Sequence, residues 1–303
     1  MIEAINLTKR YKDKLAVDDI SFTVEPGSVV GLLGPNGAGK TTTMRLMLGL
    51  DRGEGETYYD GKKLDEYRHP LREVGLLLDA KAFHPTRTAR NHLQVLADSA
   101  GISSKRVQEV LEIVGIADVA DSRPGNFSLG MGQRLGLAAA ILGEPKYLIL
   151  DEPGNGLDPE GISWLRRFMQ DYAAKGNVVF VSSHLLSEMS QLASDVIVIG
   201  KGKLLANTSI KELLNDKAAQ ATFVRTRSLK KLEKALIEAG IKTSHHEDGL
   251  LAEGVDTDAV GKVAHKSGVL LYELSNRSAS LEDVFLRLTA DSQEYQSKTA
   301  GDK

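Results

Sequence analysis

The chain contains no cysteine. Disulfides, iron–sulfur clusters and thiolate zinc sites are thereby excluded, and a reducing cytosol is the expected setting. Aromatic residues make up only 5% of the chain, too few for base-stacking platforms. The net charge of −3 leaves no basic excess, so no nucleic-acid partner is expected. No apolar run approaches the ~18–20 residues that span a bilayer. The longest are short, VVGLLG at 29–34 and LGLAAAIL at 135–142. The first residues, MIEAINLTKRYKDK, alternate and lack the apolar middle of a signal peptide. The expectation is a chain that does not cross a membrane itself but can dock on a protein that does.

What is present is a globular pattern. The 303 residues suffice for one large or two ordinary domains, with 42% apolar and 26% charged residues. IEAINLT and DISFTV read as strands around a polar turn. SVVGLL (28–33) reads as a buried strand, followed by a glycine-rich loop and an apolar-periodic helix. From about Thr86 to Ala140 the pattern is helical; Val107, Val110, Leu111 and Val114 share one face and Gly115 stops that helix. YLIL (147–150), VVFVS (178–182) and DVIVIG (195–200) are further strands. Between the first two, Asp158-Pro159 opens a helix carrying Ile162, Leu165, Phe168, Met169 and Tyr172 on one side. Short apolar strands alternating with helices imply a largely parallel sheet.

After about Asp216 the texture changes. ATFVR is a strand, Ser228 caps SLKKLEKALIEAG, IKTSHH and LLAEG flank a turn, DTDAVGKVAHKSG is a helix, GVLLYEL a strand and SLEDVFLRLT a final helix. This β-α-β-β-α-β order predicts a small ferredoxin-like α+β domain. The expected organisation is residues 1–216, with a helical subdomain at about 86–140; residues 217–290; and a flexible tail, 291–303.

GPNGAGKT, Gly34 to Thr41, fits the pattern G-x-x-x-x-G-K-[ST], between an apolar strand and a helix. Its glycines let successive backbone N–H groups turn inward onto a phosphate chain, and the helix N-terminus adds partial positive charge. Gly34, Pro35, Asn36, Gly37, Ala38, Gly39, Lys40, Thr41 and the following Thr42 are thus candidate nucleotide-binding residues. Lys40 reaches for the β- and γ-phosphates and the Thr41 hydroxyl for Mg²⁺. YLILDEP, 147–153, sets two carboxylates at the ligand-binding end of a strand. Asp151 is the candidate for Mg²⁺ and Glu152 for polarising the attacking water.

GPNGAGKT, FSLGMGQR (127–134), LILDEP, LDP (157–159) and a strand ending at His184 occur in one order, within about residues 1–216. Together they resemble the ATP-binding subunit of an ABC transporter. The resemblance implies a P-loop NTPase core of ABC ATPase type with an inserted helical subdomain, using ATP and Mg²⁺. FSLGMGQR then corresponds to the signature motif, usually L-S-G-G-Q. Ser128 and Gly130 are kept, while Phe127, Leu129 and Met131 depart from it. The resemblance implies that Ser128 and Gly130 complete the ATP site of a second, head-to-tail subunit, so that a homodimer or heterodimer buries two ATPs. It implies an adenine-stacking role for Tyr11, a switch role near the γ-phosphate for His184, and a crossing to the partner for Asp158. Asp79, where the family usually has glutamine, is implied as a Mg²⁺-sensing residue beside the membrane partner. Gly154 stands where threonine or serine is usual. His245 and His246 are neighbours on a strand, point to opposite faces and do not share an ion.

The implied function is the ATP-hydrolysing motor of an exporter, held on the inner face of the cell membrane by an integral-membrane permease. The C-terminal domain resembles the appendage of exporter-type members. The competing reading is a non-transport ABC ATPase, regulatory or nucleic-acid-associated. Repair members need a long coiled-coil insertion, which 86–140 is too short to hold, and translation members carry two cassettes. A P-loop kinase or GTPase leaves FSLGMGQR, Asp158 and His184 unexplained.

Overall fold

Val29–Leu33 is five consecutive buried residues, a run that only a strand covered on both faces accommodates. It forms β3, an inner strand of the larger sheet. A computed structural model describes residues 1–183, 185–215, 221–246, 248–277 and 281–289. The chain divides into two compact units, residues 1–207 and 208–288.

In the first unit β1 (Ile2–Tyr11) and β2 (Lys14–Val24) form a hairpin, followed by β3, α1 (Lys40–Met47), β4 (Glu54–Tyr59) and β5 (Val74–Leu77). Three helices come next: α2 (Ala89–Ser99), α3 (Ser104–Ile113) and α4 (Leu129–Ala140). Then come β6 (Tyr147–Leu150), α5 (Pro159–Ala174), β7 (Val178–Ser182), α6 (Leu186–Leu192), β8 (Asp195–Gly200) and β9 (Lys203–Ser209). The six-stranded sheet runs β5-β6-β7-β3-β8-β9, and its β5–β6, β6–β7, β7–β3 and β3–β8 pairs are parallel. The β6, β7 and β3 strands are buried along their whole length. All their C-terminal ends therefore point to one edge.

A second sheet, antiparallel and ordered β2-β1-β4, stands apart from the parallel one. Alternation in the first 25 residues announces its strands but not their separation. One core joins the two sheets: Phe22 of β2 stacks on Phe180 of β7 at 5.6 Å, and Tyr59 meets Tyr147 edge-on at 5.3 Å.

The helical stretch 86–140 resolves into α2, α3 and α4, which pack on one another, with α4 also against β5. Val107, Val110, Leu111 and Val114 are all buried. Gly115, at φ +72°, ends that helix in the left-handed conformation. Close approach of α4 to β5 depends on its small residues: a Cβ on Gly136 would lie 2.4 Å from the Leu77 side chain. The apolar run after FSLGMGQR is thus a helix face pressed onto the sheet.

The second unit holds α7 (Ile210–Asn215), β10 (Ala221–Arg225), α8 (Leu229–Glu238), β11 (Thr243–His246), β12 (Gly249–Glu253), α9 (Thr257–Lys266), β13 (Glu273–Arg277) and α10 (Leu281–Thr289). Its antiparallel sheet runs β11-β12-β10-β13, the strand order of a split β-α-β unit. Leu232, Leu236, Val260 and Ala264, from the two crossing helices, close a core on Val224, Leu250 and Ala252.

Two local expectations fail in this unit. GVLLYEL does not form the last strand, which starts at Glu273. Leu270 is 72% exposed, and its carbonyl is taken by the Thr226 hydroxyl at 2.7 Å. Ser228 sits at the start of α8 without a side-chain cap, because its φ and ψ of −105° and 46° lie outside the extended conformation that capping needs. The tail 291–303 lies outside the described residues.

Candidate active site

The loop between β3 and α1 is shaped by residues that only glycine satisfies. Gly37 and Gly39 have φ of +82° and +106°, and a Cβ on Gly39 would lie 2.5 Å from the Ala16 carbonyl oxygen. Gly34 is equally confined, with the Ile199 carbonyl oxygen 2.7 Å from where its Cβ would be. The α1 N-terminus opens directly onto this loop, with no side chain capping it. Its orphan N–H groups therefore face outward, toward any anion that enters.

Lys40 begins α1 and folds back over the loop. Its Nζ donates to the Gly34 carbonyl at 2.8 Å and lies 3.9 Å from Glu152 Oε1. Burial pushes its pKa below that of an ordinary lysine, and the charges of Glu152 and Asp151 partly oppose this. It is a buried cation held close to two carboxylates.

Thr41 follows, and its hydroxyl donates to Asp151 Oδ2 at 2.5 Å. The other oxygen of Asp151, Oδ1, accepts the Ser182 hydroxyl hydrogen. Glu152, next in line at the β6 exit, has φ +47°, a left-handed conformation costly for a residue with a Cβ. Its backbone N–H donates to Ser182 Oγ at 2.9 Å, and its carbonyl accepts from Gln133 Nε2 at 3.1 Å. This reversal turns the two adjacent carboxylates to different tasks.

A cleft of about 410 Å³ is lined by Tyr11, Lys14, Ala16, Pro35 to Thr42, Asp151 and Glu152. The Tyr11 ring is half exposed at its mouth, with Lys9 Nζ 4.8 Å from the ring centroid. Its hydroxyl donates to Asp51 Oδ2 at 2.7 Å, and Asp51 accepts from Arg45 of α1 at 3.0 Å. The hydrogen bond to Asp51, then burial, raise the Tyr11 pKa; bonds from Arg45 and Tyr11 lower that of Asp51. The ring is thereby fixed to the helix that follows the phosphate loop. Chemically, the cleft offers an aromatic face, a nest of N–H groups, the ammonium groups of Lys14 and Lys40, a hydroxyl–carboxylate pair and a second carboxylate.

Ser128, Gly130 and Asp158 do not line this cleft; they form a second group. Ser128 is the exposed N-cap of α4, its Oγ accepting from the Met131 N–H at 3.2 Å. Gly130 is buried: a Cβ there would meet the Gly156 carbonyl oxygen at 2.6 Å, and one on Gly156 would meet Leu129. Asp158 caps α5 through the Gly161 N–H at 2.9 Å. The start of α4 and the 154–158 loop therefore pack as one block. Asp79 lies in an exposed turn, its Oδ1 accepting from the Lys81 N–H at 2.8 Å, and is absent from the cleft lining. His184 lies outside the described residues.

Two residues of this constellation carry no motif of their own. Ser182 is fully buried at the end of β7, and Gln133 is buried on α4. The one signal for Ser182 is its place beside the expected switch histidine. For Gln133 it is its place within FSLGMGQR.

Residues 17–155 match the family described as ABC transporter, and residues 220–282 match a domain family of unknown function. The chain is 36% identical over 308 residues to the bacitracin transport ATP-binding protein BcrA of Bacillus licheniformis, covering 95% of this chain and 97% of that one. A solved structure of an ATP-binding subunit of an ABC transporter shares 28% identity, with a TM-score of 0.64 over 70% of this chain and 91% of the other. A dimeric ATP-binding cassette in a post-hydrolysis state, bound to ADP and Pi, is 22% identical. It has the same TM-score over 69% of this chain and 99% of the other. That last likeness concerns the fold.

Proposed function

Because this chain belongs to the ABC transporter family and is an ATP-binding ATPase of that family, we propose that its hydrolysis drives export through a separate membrane permease. The observation that carries the reading is the cleft in which Tyr11, the Pro35–Thr42 loop with Lys40, Asp151 and Glu152 meet, while Ser128, Gly130 and Asp158 sit elsewhere. One chain thus supplies two half-sites.

Adenine stacks on Tyr11, and the phosphates enter the loop, where backbone N–H groups and Lys40 receive them. The Thr41 hydroxyl and Asp151 carboxylate, 2.5 Å apart, are a hard oxygen pair that suits Mg²⁺ completed by phosphates and water. They would hold the ion, which supplies charge neutralisation at the β- and γ-phosphates. Among the described residues no cluster of three or more His, Asp or Glu forms a metal site by itself, which fits an ion carried in with the nucleotide. Glu152 takes a proton from the attacking water, its carboxylate turned toward Lys40 by the left-handed backbone.

The second group serves a partner chain. The exposed N-terminus of α4 offers the Ser128 hydroxyl and the first N–H groups of the helix to a γ-phosphate bound by that partner. The dimeric cassette of the same fold supports the pairing of two chains. His184 as switch residue and Asp158 at the dimer seam rest on the family resemblance. The proposed docking surface for the permease lies near residues 79–90, where residue 79 and residues 84–87 are exposed. Among the described residues no helix is long and apolar enough to cross a membrane, which fits attachment at the inner face through that permease. Export is supported by the bacitracin transport relative, which spans nearly the whole chain.

The test is affinity isolation of the chain from detergent-solubilised membranes. An integral-membrane protein recovered in fixed ratio, whose loss stops efflux, is the expected result. Recovery of the chain without any membrane protein, with efflux unaffected by its deletion, overturns the reading.

A further inference from the structure

Glu152 is gripped at both of its peptide groups by side chains from two different elements. Ser182 Oγ of β7 accepts its N–H at 2.9 Å, and Gln133 Nε2 of α4 donates to its carbonyl at 3.1 Å. Ser182 is 0% exposed and Gln133 7%. Between the two contacts the backbone holds φ +47°, which an L-residue adopts only when its surroundings impose it.

We propose that Gln133 and Ser182 are positioning residues for hydrolysis, a clamp that holds Glu152 in its left-handed conformation and so aims its carboxylate at the attacking water. The inference rests on the reading of Glu152 as general base. Were φ at 152 to relax to the ordinary extended region, the side chain would leave the neighbourhood of Lys40 Nζ, 3.9 Å away. Ser182 has a second task, because its hydroxyl hydrogen goes to Asp151 Oδ1, leaving Oδ2 for Thr41. One buried hydroxyl thereby sets the orientation of both carboxylate residues.

Gln133 adds something Ser182 does not. It lies one turn beyond Ser128 on the helix whose N-terminus is offered to the partner chain's nucleotide. Movement of α4 as that nucleotide binds is passed directly to the Glu152 carbonyl of its own chain. Among the described residues the Gln133 Oε1 has no hydrogen-bond partner, and the amide meets Glu152 through its donor end. The amide that Met131 lacks relative to the usual signature is therefore not restored by Gln133, which faces inward to the catalytic strand.

The test uses the full chain with MgATP and compares Ser182→Val, Ser182→Thr and Gln133→Met. Valine and threonine have the same shape, so only the hydroxyl differs between the first two. The expected result is a kcat about tenfold or more lower for Ser182→Val and Gln133→Met, with ATP affinity within about threefold of the parent and Ser182→Thr retaining most of the rate. Equal rates in Ser182→Val and Ser182→Thr, or an unchanged kcat in Gln133→Met, overturn the clamp. So does a fall in ATP affinity and melting temperature that matches the fall in rate, since that marks a packing role alone. Gln133→Met keeps the test open should Ser182→Val not fold. A Glu152→Gln variant run alongside separates the two claims: normal turnover there removes the base itself, whereas failure of the clamp leaves it standing.

Discussion

The Thr41 hydroxyl donates to Asp151 Oδ2 across 2.5 Å, joining the first turn of α1 to the exit of β6. These residues are 110 positions apart, and only the parallel sheet brings them together. Asp151→Asn keeps the size of this group and removes its charge. Mg²⁺-dependent hydrolysis is expected to fall by about a hundredfold or more. Nucleotide binding in EDTA, read with a fluorescent ATP analogue, should stay near that of the parent. Ordinary Mg²⁺ activation in the variant would remove Asp151 from the ion's coordination.

Ser128 has a cap role inside its own chain and a proposed role across the dimer, and one substitution separates them. Ser128→Ala loses the bond from the Met131 N–H, at a cost of about 1 kcal/mol in stability. Binding of ATP to the monomer should be unchanged, because Ser128 is not part of the cleft. Steady-state hydrolysis, which needs the dimer, should drop. A loss of monomer affinity instead would place Ser128 at its own chain's nucleotide.

Lys40 makes the alkaline behaviour of the site predictable. Burial lowers its pKa, so the unfolded chain holds this proton to higher pH than the folded one. The stability contributed by this group is present above the ordinary lysine range and is lost as pH falls through the folded value. ATP acts in the opposite sense, since its phosphates favour the charged amine. Calorimetric ATP affinity should therefore weaken as pH rises toward the ordinary lysine value of 10.5, beginning below it. Lys40→Met should bind weakly with little of this slope; an unchanged slope would assign it to another group.

Asp79 stands apart from the cleft, in an exposed turn where it caps the Lys81 N–H. Asp79→Ala is expected to leave ATP binding intact and to reduce efflux relative to hydrolysis when the chain is assembled with its permease. Parallel measurement of ATP turnover and substrate efflux in proteoliposomes checks this. Unchanged efflux per ATP would exclude a coupling role.

The phosphate loop and the acidic pair could be read in the chain because their chemistry is local: glycines, a lysine and a threonine at set spacing between a strand and a helix. The α3 face could be read for the same reason, from Val107, Val110, Leu111 and Val114 at helical spacing. Gln133 and Ser182 could not be placed, because each acts on Glu152 from 19 or 30 residues away. The separate antiparallel sheet was hidden likewise, since alternation shows a strand but not the sheet it joins. GVLLYEL misled because its apolar residues divide between core and solvent: Val269 is buried, whereas Leu270 and Tyr272 are exposed. In FSLGMGQR, one departure from the usual signature, Leu129, lies against Gly156, while Gln133 further along turns inward to Glu152.

The most direct measurement of the whole account is sedimentation velocity of Glu152→Gln with and without MgATP, beside a phosphate-release assay. The account predicts an ATP-dependent dimer and turnover lower than the parent's by about a hundredfold or more. Phosphate release at the parent rate, or a monomer at saturating MgATP, would contradict it.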